Sequence, residues 1–447
     1  MIIEFHPEAS SAYNNSASDL IKVLKHKSPA PPKASNIDPD LHITASIDAS
    51  DIIGEITLGS SDQLGNKLER WVSREGQLIG IDRAQYGAFT AFCSKLSRTK
   101  TTKEYLSQEF VENTVFDWLT AGENRQEPFS DAFLKAANSA LIQATYWIPI
   151  ARLRIGAPIQ LGRVVFQRIT RSMMDTYAQD WKANAPEEAH EGIDTLLDRK
   201  RKQLQGYTAG TVNVLAEPIY GRQVARDAAE EALELLRLFD VSSMEPSRTS
   251  SAVLLGGEIS GSQPSFILNG HAIEEWQDRS IFPGTIDTTF DIAAIENAMQ
   301  AGLGRVNQIL SASVRTEFEQ SLIEAVLLYS RVSISYRLDD KLVYALVALE
   351  SMFLKNQSEP IQQNLGERIA LFIGKTLEER QDILKNIRSI YSLRSQLIHH
   401  GKKVQDTDEI PKFFLNSWVT LILLIGNSSE FQTKSDLLDA LDAQKLS

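Results

Sequence analysis

Residues Ile387 to Gly401 read Ile-Arg-Ser-Ile-Tyr-Ser-Leu-Arg-Ser-Gln-Leu-Ile-His-His-Gly. Ile383, Ile387, Ile390, Tyr391 and Ile398 recur at three- and four-residue steps, which places them on one face of a helix. Arg394 falls on that same face, three residues after Tyr391 and four before Ile398. A stripe that only packs carries Leu or Met there, because a buried guanidinium needs a partner or a wet cleft. Gly401 has the character of a helix-ending residue, and Lys402 and Lys403 follow where cations suit a helix C-terminus. The stretch therefore combines a core face, one misplaced cation and two terminal histidines, His399 and His400.

The chain on either side is helical by pattern. Ile292 to Leu310, Phe318 to Val332, Lys341 to Lys355, Leu365 to Ile373, Leu377 to Ile398 and Lys412 to Ile425 are helix candidates with short links. Residues 285–447 are thus expected to form an all-α bundle. Residues 1–130 mix a helix (Ala17 to Lys27), a stiff connector at Ser28 to Pro32, strands at Leu41 to Ile47 and Ile52 to Leu58, and helices at Asp82 to Leu96 and Glu104 to Thr120. A second α+β domain is expected over 131–270. Its strands are Tyr146 to Ile148, Arg152 to Ile155 and Ile159 to Ile169, split by Pro149, Gly156 and Pro158. A charged helix (Gly192 to Leu204), a strand (Thr208 to Ala216) and an amphipathic helix (Arg222 to Phe239, with Ala229, Ala232, Leu233 and Leu236 inward) follow. The glycines of Ser251 to Phe266 mark a boundary or a surface hairpin. The fold class is α+β: a mixed N-terminal region of two units followed by the helical bundle.

At 447 residues the chain exceeds one ordinary core, and 43% hydrophobic residues suffice for globular packing. A net charge of −12 excludes a protein that coats nucleic acid over its whole surface, but allows a local basic cleft. Cys93 is the single cysteine, so no internal disulfide or cysteine-based metal cluster can form, and a reducing cytoplasmic setting is expected. The N-terminus has no basic start leading into an apolar run, and Phe413 to Ile425 is interrupted by Asn416 and Ser417. It reads as a buried helix, with no membrane partner.

Several patterns carry no chemistry. Gly374-Lys375-Thr376 resembles the end of a phosphate loop, but Ile369 stands where that loop needs glycine. Gly302-Leu303-Gly304 lacks the third glycine and the preceding strand of a dinucleotide fingerprint. His6, His26, His42, His190 and His271 have no ligand spacing, so no metal and no cofactor are expected. Lys200-Arg201-Lys202 reads as a solvated helix face and Cys93 as core.

The helix of Arg394 stands apart by charge. No acidic residue occurs between Asp382 and Asp406, whereas Lys385, Arg388, Arg394, Lys402 and Lys403 are present. In an acidic chain this local reversal suits a phosphate-facing surface. Arg394 followed by His399 or His400 resembles the Arg-x(4-6)-His signature of HEPN domains. Tyr391, Arg394, Ser395, His399 and Gly401 resemble the Tyr-x-x-Arg-Ser-x-x-x-His-x-Gly pattern of the Apea-like HEPN branch. Leu346 to Phe353 is similar to that branch's helix containing Ala-Leu-Glu, and Glu367-Arg368-Ile369-Ala370 to its Glu-Arg-Ile-Ala helix. Together the three segments cover roughly residues 315 to 430. Many HEPN ribonucleases carry Asn, Asp or His directly after the arginine; this chain has Ser395.

The resemblance implies a metal-independent RNA endonuclease that uses the sugar 2′-OH as nucleophile and leaves a 2′,3′-cyclic phosphate. Arg394 would hold transition-state charge and a histidine would move the proton. His399 is the favoured one because Gly401 then falls in register, with His400 and Ser395 beside it. Lys385, Arg388, Lys402 and Lys403 would contact RNA. The resemblance also implies a homodimer that pairs two such helices, and a regulated effector of antiviral defence or toxin-type growth arrest. A phage-derived or small-molecule trigger would act at the N-terminal domains.

Helix geometry bears on this. His399 lies about 140° and His400 about 240° from Arg394 on an ideal helix. Either the helix end unwinds before Gly401, or a second copy completes the site. Glu350, in the apolar run Tyr344 to Phe353, needs a partner. It either orients Arg394 or a histidine, or forms a structural ion pair with Arg368 or Arg394. Tyr391 either positions RNA or packs in the core. The alternatives to a nuclease are an inactive HEPN scaffold that binds RNA or nucleotide, and a purely structural helical domain.

Overall fold

The computed structural model of the chain describes residues 3–27, 57–58, 60–74, 77–122, 125–257, 262–269, 272–280, 285–356, 359–400 and 408–445. The chain divides into two compact units, residues 1–144 with 214–224 and residues 145–213 with 225–447. Boundaries expected near 130 and 270 do not coincide with this division. The second α+β segment and the helical bundle share one unit, because strands from 142 to 168 and from 249 to 290 pair with one another.

The first unit is α+β. Helix Pro7–Lys22 ends before the short strand Lys25–Lys27, where one helix over 17–27 was expected. That strand is the edge of a four-stranded antiparallel sheet whose order continues Gln77–Ile81, Arg70–Arg74, Thr57–Leu58. A Cβ on Gly80 would lie 2.2 Å from the Arg70 carbonyl oxygen, so the close strand approach requires glycine there. The expected strand at Leu41 to Ile47, and most of that at Ile52 to Leu58, lie outside the described residues. Helices Tyr86–Ser97, Gln108–Thr120 and Phe129–Ala140 pack around Phe89, Phe92, Cys93, Leu96, Val115, Phe116 and Phe133, all buried. Burial pushes the Cys93 thiol up, away from reactivity.

In the second unit a five-stranded sheet runs in the order Val253–Leu254, Ile142–Ala151, Thr208–Ala216, Val164–Arg168, Ile159–Leu161. Pro149 lies within a continuous ten-residue strand instead of dividing it. Helices Arg171–Ala183 and His190–Leu204 form a hairpin beside the sheet. On His190–Leu204, Lys200 and Lys202 are exposed as expected, whereas Arg201 is four-fifths buried and pairs with Asp175 and Asp198, each at 2.6 Å. Strand Leu153–Ile155 pairs in parallel with Thr288–Phe290, which leads into the first helix of the bundle. Ser262–Asn269 and Ala272–Ser280 form a hairpin that begins only near the end of the expected 251–266 segment and extends beyond it.

The bundle begins with Ile292–Ala298 and Gly304–Ser311, separated by a widened turn at Gly302 (φ 116°) that only glycine adopts easily. Glu317–Ile334, Leu338–Phe353, Ile361–Ile373, Leu377–His400, Glu409–Gly426 and Lys434–Gln444 complete it. Thr316 and Glu319 close a capping box at the first of these long helices. Within the apolar helix Glu409–Gly426, Phe413, Phe414, Leu421, Leu424 and Ile425 are buried, whereas Leu415 and Leu423 are exposed. The Tyr329 hydroxyl, fully buried, donates to the carbonyls of Ser243 (2.7 Å) and Phe414 (3.2 Å).

Two buried cations set the bundle's energetics. Lys341 is 1% exposed and donates to the Arg248 carbonyl, and burial lowers its pKa from 10.5 to about 8. Arg368 is 2% exposed and is fully satisfied: it donates to the Phe353 carbonyl (2.7 Å), to Glu359 (2.9 Å) and twice to Asp442 (3.0 and 3.1 Å).

A lysine whose folded pKa lies below its unfolded value weakens the fold while both states are charged. That penalty fades between pH 8 and 10.5, where only the unfolded state still binds the proton. Lys341→Met is therefore expected to raise the melting temperature at pH 7 and to lose most of that gain by pH 10. The shift implies an effect on the order of 3 kcal/mol, larger than the roughly 1 kcal/mol of the lost hydrogen bond. Melting curves at both pH values check this, and a gain that persists at pH 10 contradicts it. Arg368→Ala strands two carboxylates and is expected to cost about 3–5 kcal/mol at pH 7. The hydrogen bonds from Arg368 hold Glu359 and Asp442 below their ordinary carboxylate range. Their stabilisation is present above the unfolded pKa near ~4 and is lost as pH falls through the folded values. The gap between wild type and variant in urea unfolding should thus narrow towards pH 3.

Candidate functional site

Helix Leu377–His400 carries the stripe read from the sequence. Ile383, Ile387 and Ile390 are buried and Tyr391 is half-buried. Asn386 sits on the same stripe with no exposed surface, and its amide donates to both the carbonyl and the carboxylate of Glu409, each at 2.7 Å. This residue pins the helix to the start of Glu409–Gly426. Its spacing, three after Ile383 and four before Ile390, was the signal that it belongs to the stripe.

Arg394 meets Glu350. The carboxylate Oε1 accepts from Arg394 Nη1 at 2.9 Å and from the Tyr391 hydroxyl at 2.6 Å. Both charged side chains are three quarters or more buried, at 25% and 18% exposure. Glu350 does not pair with Arg368, whose needs are met by Glu359 and Asp442. The reason is placement: Arg368 points to the C-terminal helix, while Glu350 points to the helix of Arg394. Burial and then the bond to Glu350 hold the Tyr391 phenol above its ordinary value, so it stays protonated and acts as a donor. Tyr391 is thus neither plain core nor exposed. The Arg394 Nε is buried with no hydrogen-bond partner among the described residues, and the guanidinium carbon is 5.9 Å from the Tyr391 ring centre.

The guanidinium is therefore held by one carboxylate oxygen and retains an unused donor. An orphaned buried N–H costs free energy until an acceptor reaches it, and a phosphate oxygen is such an acceptor. Glu350 supplies orientation, and also a competing charge.

The other candidates lie elsewhere on the helix. The backbone is helical through His400, so the end does not unwind before Gly401. At ~100° per residue, positions 388, 399 and 385 lie about 120°, 140° and 180° round the axis from 394. Lys385, Arg388 and Ser395 are exposed. Positions 385, 388 and 399 share a face, and Arg394 does not belong to it. The side chains of His399 and His400, with Gly401, Lys402 and Lys403, lie outside the described residues. No group of three or more His, Cys, Asp or Glu able to hold a metal ion occurs among the described residues.

No family model matches the chain, no curated protein matches its sequence, and no solved structure matches its fold.

The shared Glu350 oxygen makes the pair measurable. A double-mutant cycle with Glu350→Ala and Arg394→Ala is expected to show a coupling of about 1–2 kcal/mol in urea unfolding, as partly buried neighbours in one network do. Additive effects of the two substitutions would mean that the pair is not formed in solution.

Proposed function

We propose that this chain is a metal-independent RNA endonuclease of the HEPN type, with its site completed across a homodimer. The observation that carries the reading is the buried, incompletely partnered Arg394 on an unbroken helix, set about 140° from His399. On one copy of the helix the two positions face apart, which favours completion of the site by a second copy. Two copies related by a two-fold axis bring Arg394 of each against His399 of the other. In such a cleft the sugar 2′-OH attacks the adjacent phosphorus as a histidine removes its proton. The 5′-oxygen leaves with a proton, and a 2′,3′-cyclic phosphate forms. Arg394 meets the charge gathering on the phosphoryl oxygens, with Glu350 and Tyr391 fixing its direction. Lys385 and Arg388 offer the RNA backbone counter-charge, and Ser395 and His400 stand beside the reacting groups. Such an enzyme would serve as a regulated cytoplasmic effector in antiviral defence or growth arrest.

A second reading, a silent HEPN scaffold or structural domain, draws on the Glu350 contact, which already neutralises Arg394.

End-mapping separates the two. RNA treated with wild type in EDTA should carry cyclic-phosphate ends, and Arg394→Ala should lower the rate by ~10²–10³. Equal cleavage by both proteins refutes the assignment. An equimolar mixture of Arg394→Ala and His399→Ala chains, exchanged into heterodimers, should recover about a quarter of wild-type activity, because one intact composite site forms per mixed dimer. No recovery would place both residues in one chain's site.

A further inference from the structure

The second unit holds a cleft of about 520 Å³ far along the sequence from the Arg394 helix. It is lined by Ile150, Leu153 and Ile155, by Arg152, Arg154 and Arg168, by Gln205, Gly206, Tyr207 and Thr208, and by Asp287. Three arginines line its open mouth with their side chains largely exposed, Arg152 at 62% and Arg154 at 74%. Asp287 is the one carboxylate of the lining: its Oδ2 lies 2.9 Å from Arg154 and its Oδ1 3.4 Å from Arg152. Arg168 makes no ion pair among the described residues. The lining therefore carries an uncompensated charge of +2.

The arginines stand on rigid backbone. Arg154 is the centre of strand Leu153–Ile155, between two buried neighbours and opposite Thr289 of the paired strand. Arg168 ends strand Val164–Arg168, opposite Thr208. Arg152 links two strands in the left-handed region (φ 55°), the one non-glycine residue there among those described, with its carbonyl accepting from the Thr288 amide at 3.1 Å. Strained backbone held by surrounding structure is found preferentially at ligand clamps. Gly206 (φ 91°) forms the turn that brings Tyr207 to the rim. The Thr208 hydroxyl donates to the Leu153 carbonyl at 2.8 Å, which locks the floor.

We infer that this cleft binds the phosphate monoester end of a small organic ligand, the phosphate on Arg152, Arg154 and Arg168 and the organic body along Tyr207 and Gln205. Planar guanidinium forks suit phosphate oxygens. A phosphate monoester carries nearly −2 at neutral pH, which matches the excess charge, whereas a single carboxylate does not. Free phosphate fills little of the cavity, whose size is that of a small-molecule site. A nucleoside monophosphate and a sugar phosphate both carry this chemistry. Binding would draw Arg152 and Arg154 from Asp287, three residues before the Phe290 end of the strand that enters the bundle. The inference is independent of RNA cleavage.

Titration calorimetry of the full chain with the four nucleoside monophosphates, ribose 5-phosphate, the parent nucleosides and inorganic phosphate tests it. Saturable binding at one site per chain is expected for a phosphate monoester, at least tenfold weaker for nucleosides and for inorganic phosphate. Comparing nucleoside monophosphates with ribose 5-phosphate identifies the body that is read. The double variant Arg154→Ala/Arg168→Ala should bind at least tenfold more weakly with an unchanged melting temperature; if it melts early, Arg168→Gln alone should still weaken binding. No saturable binding of any monoester, equal affinity for inorganic phosphate, full affinity in the variants, or binding only of a 5′-phosphorylated oligonucleotide would each overturn the inference.

Discussion

Placing cations inside a helical bundle is the constraint on which the second unit turns. Each buried cation must find acceptors, and the chain meets that need in graded ways. Arg368 has a bidentate carboxylate, a second carboxylate and a carbonyl. Just before the bundle, Arg237 at the end of helix Pro218–Arg237 donates through Nε and Nη2 to the Ala252 carbonyl, and burial, offset in part by Glu234, lowers its pKa to about 10. Lys341 has one carbonyl among the described residues. Arg394 has one shared carboxylate oxygen and a vacant donor. The first arrangement is complete and serves the fold. The last is incomplete and partly open, which is the property a binding group needs.

That gradation also explains the separation of roles among helices of similar pattern. Ile361–Ile373 and Lys434–Gln444 are stapled by Arg368, and this fixes the frame. Leu338–Phe353 presents Glu350 from that frame, and Glu350 aims Arg394. Asn386, on the same stripe as Arg394, fixes the motif helix against its other neighbour. A guanidinium so placed loses little orientational freedom on meeting a phosphate.

Much of this was legible in the sequence, because helical periodicity is a local signal. Five of the six expected bundle helices begin and end within a few residues of their limits, the sixth is interrupted at Gly302, and the last helix, Lys434–Gln444, was not expected. The stripe of Ile383, Ile387, Ile390 and Arg394 and the need of Glu350 for a partner followed from spacing and burial cost. Which arginine Glu350 would meet did not, since Arg368 and Arg394 are equally plausible until helix packing is known. The strands Arg70–Arg74 and Gln77–Ile81 were missed although they pair with each other as neighbours in sequence: each is short and sets two apolar residues side by side, Trp71-Val72 and Leu78-Ile79, instead of alternating. The cleft of Arg152, Arg154 and Arg168 was invisible for a different reason. Its arginines lie on separate strands, and only the register of Leu153–Ile155 against Thr288–Phe290 brings Asp287 to them.

The Arg368 cluster bears on the order in which the chain acquires structure during synthesis. Asp442 follows Arg368 by 74 residues, so the guanidinium leaves the ribosome well before its bidentate partner. Glu359 and the Phe353 carbonyl precede it and are already in reach. A nascent bundle can therefore shelter the charge locally while the motif helix and Glu409–Gly426 emerge, and then exchange a provisional arrangement for a permanent one. Glu359 in this sense is a holding partner, and the last helix is a late-arriving lock.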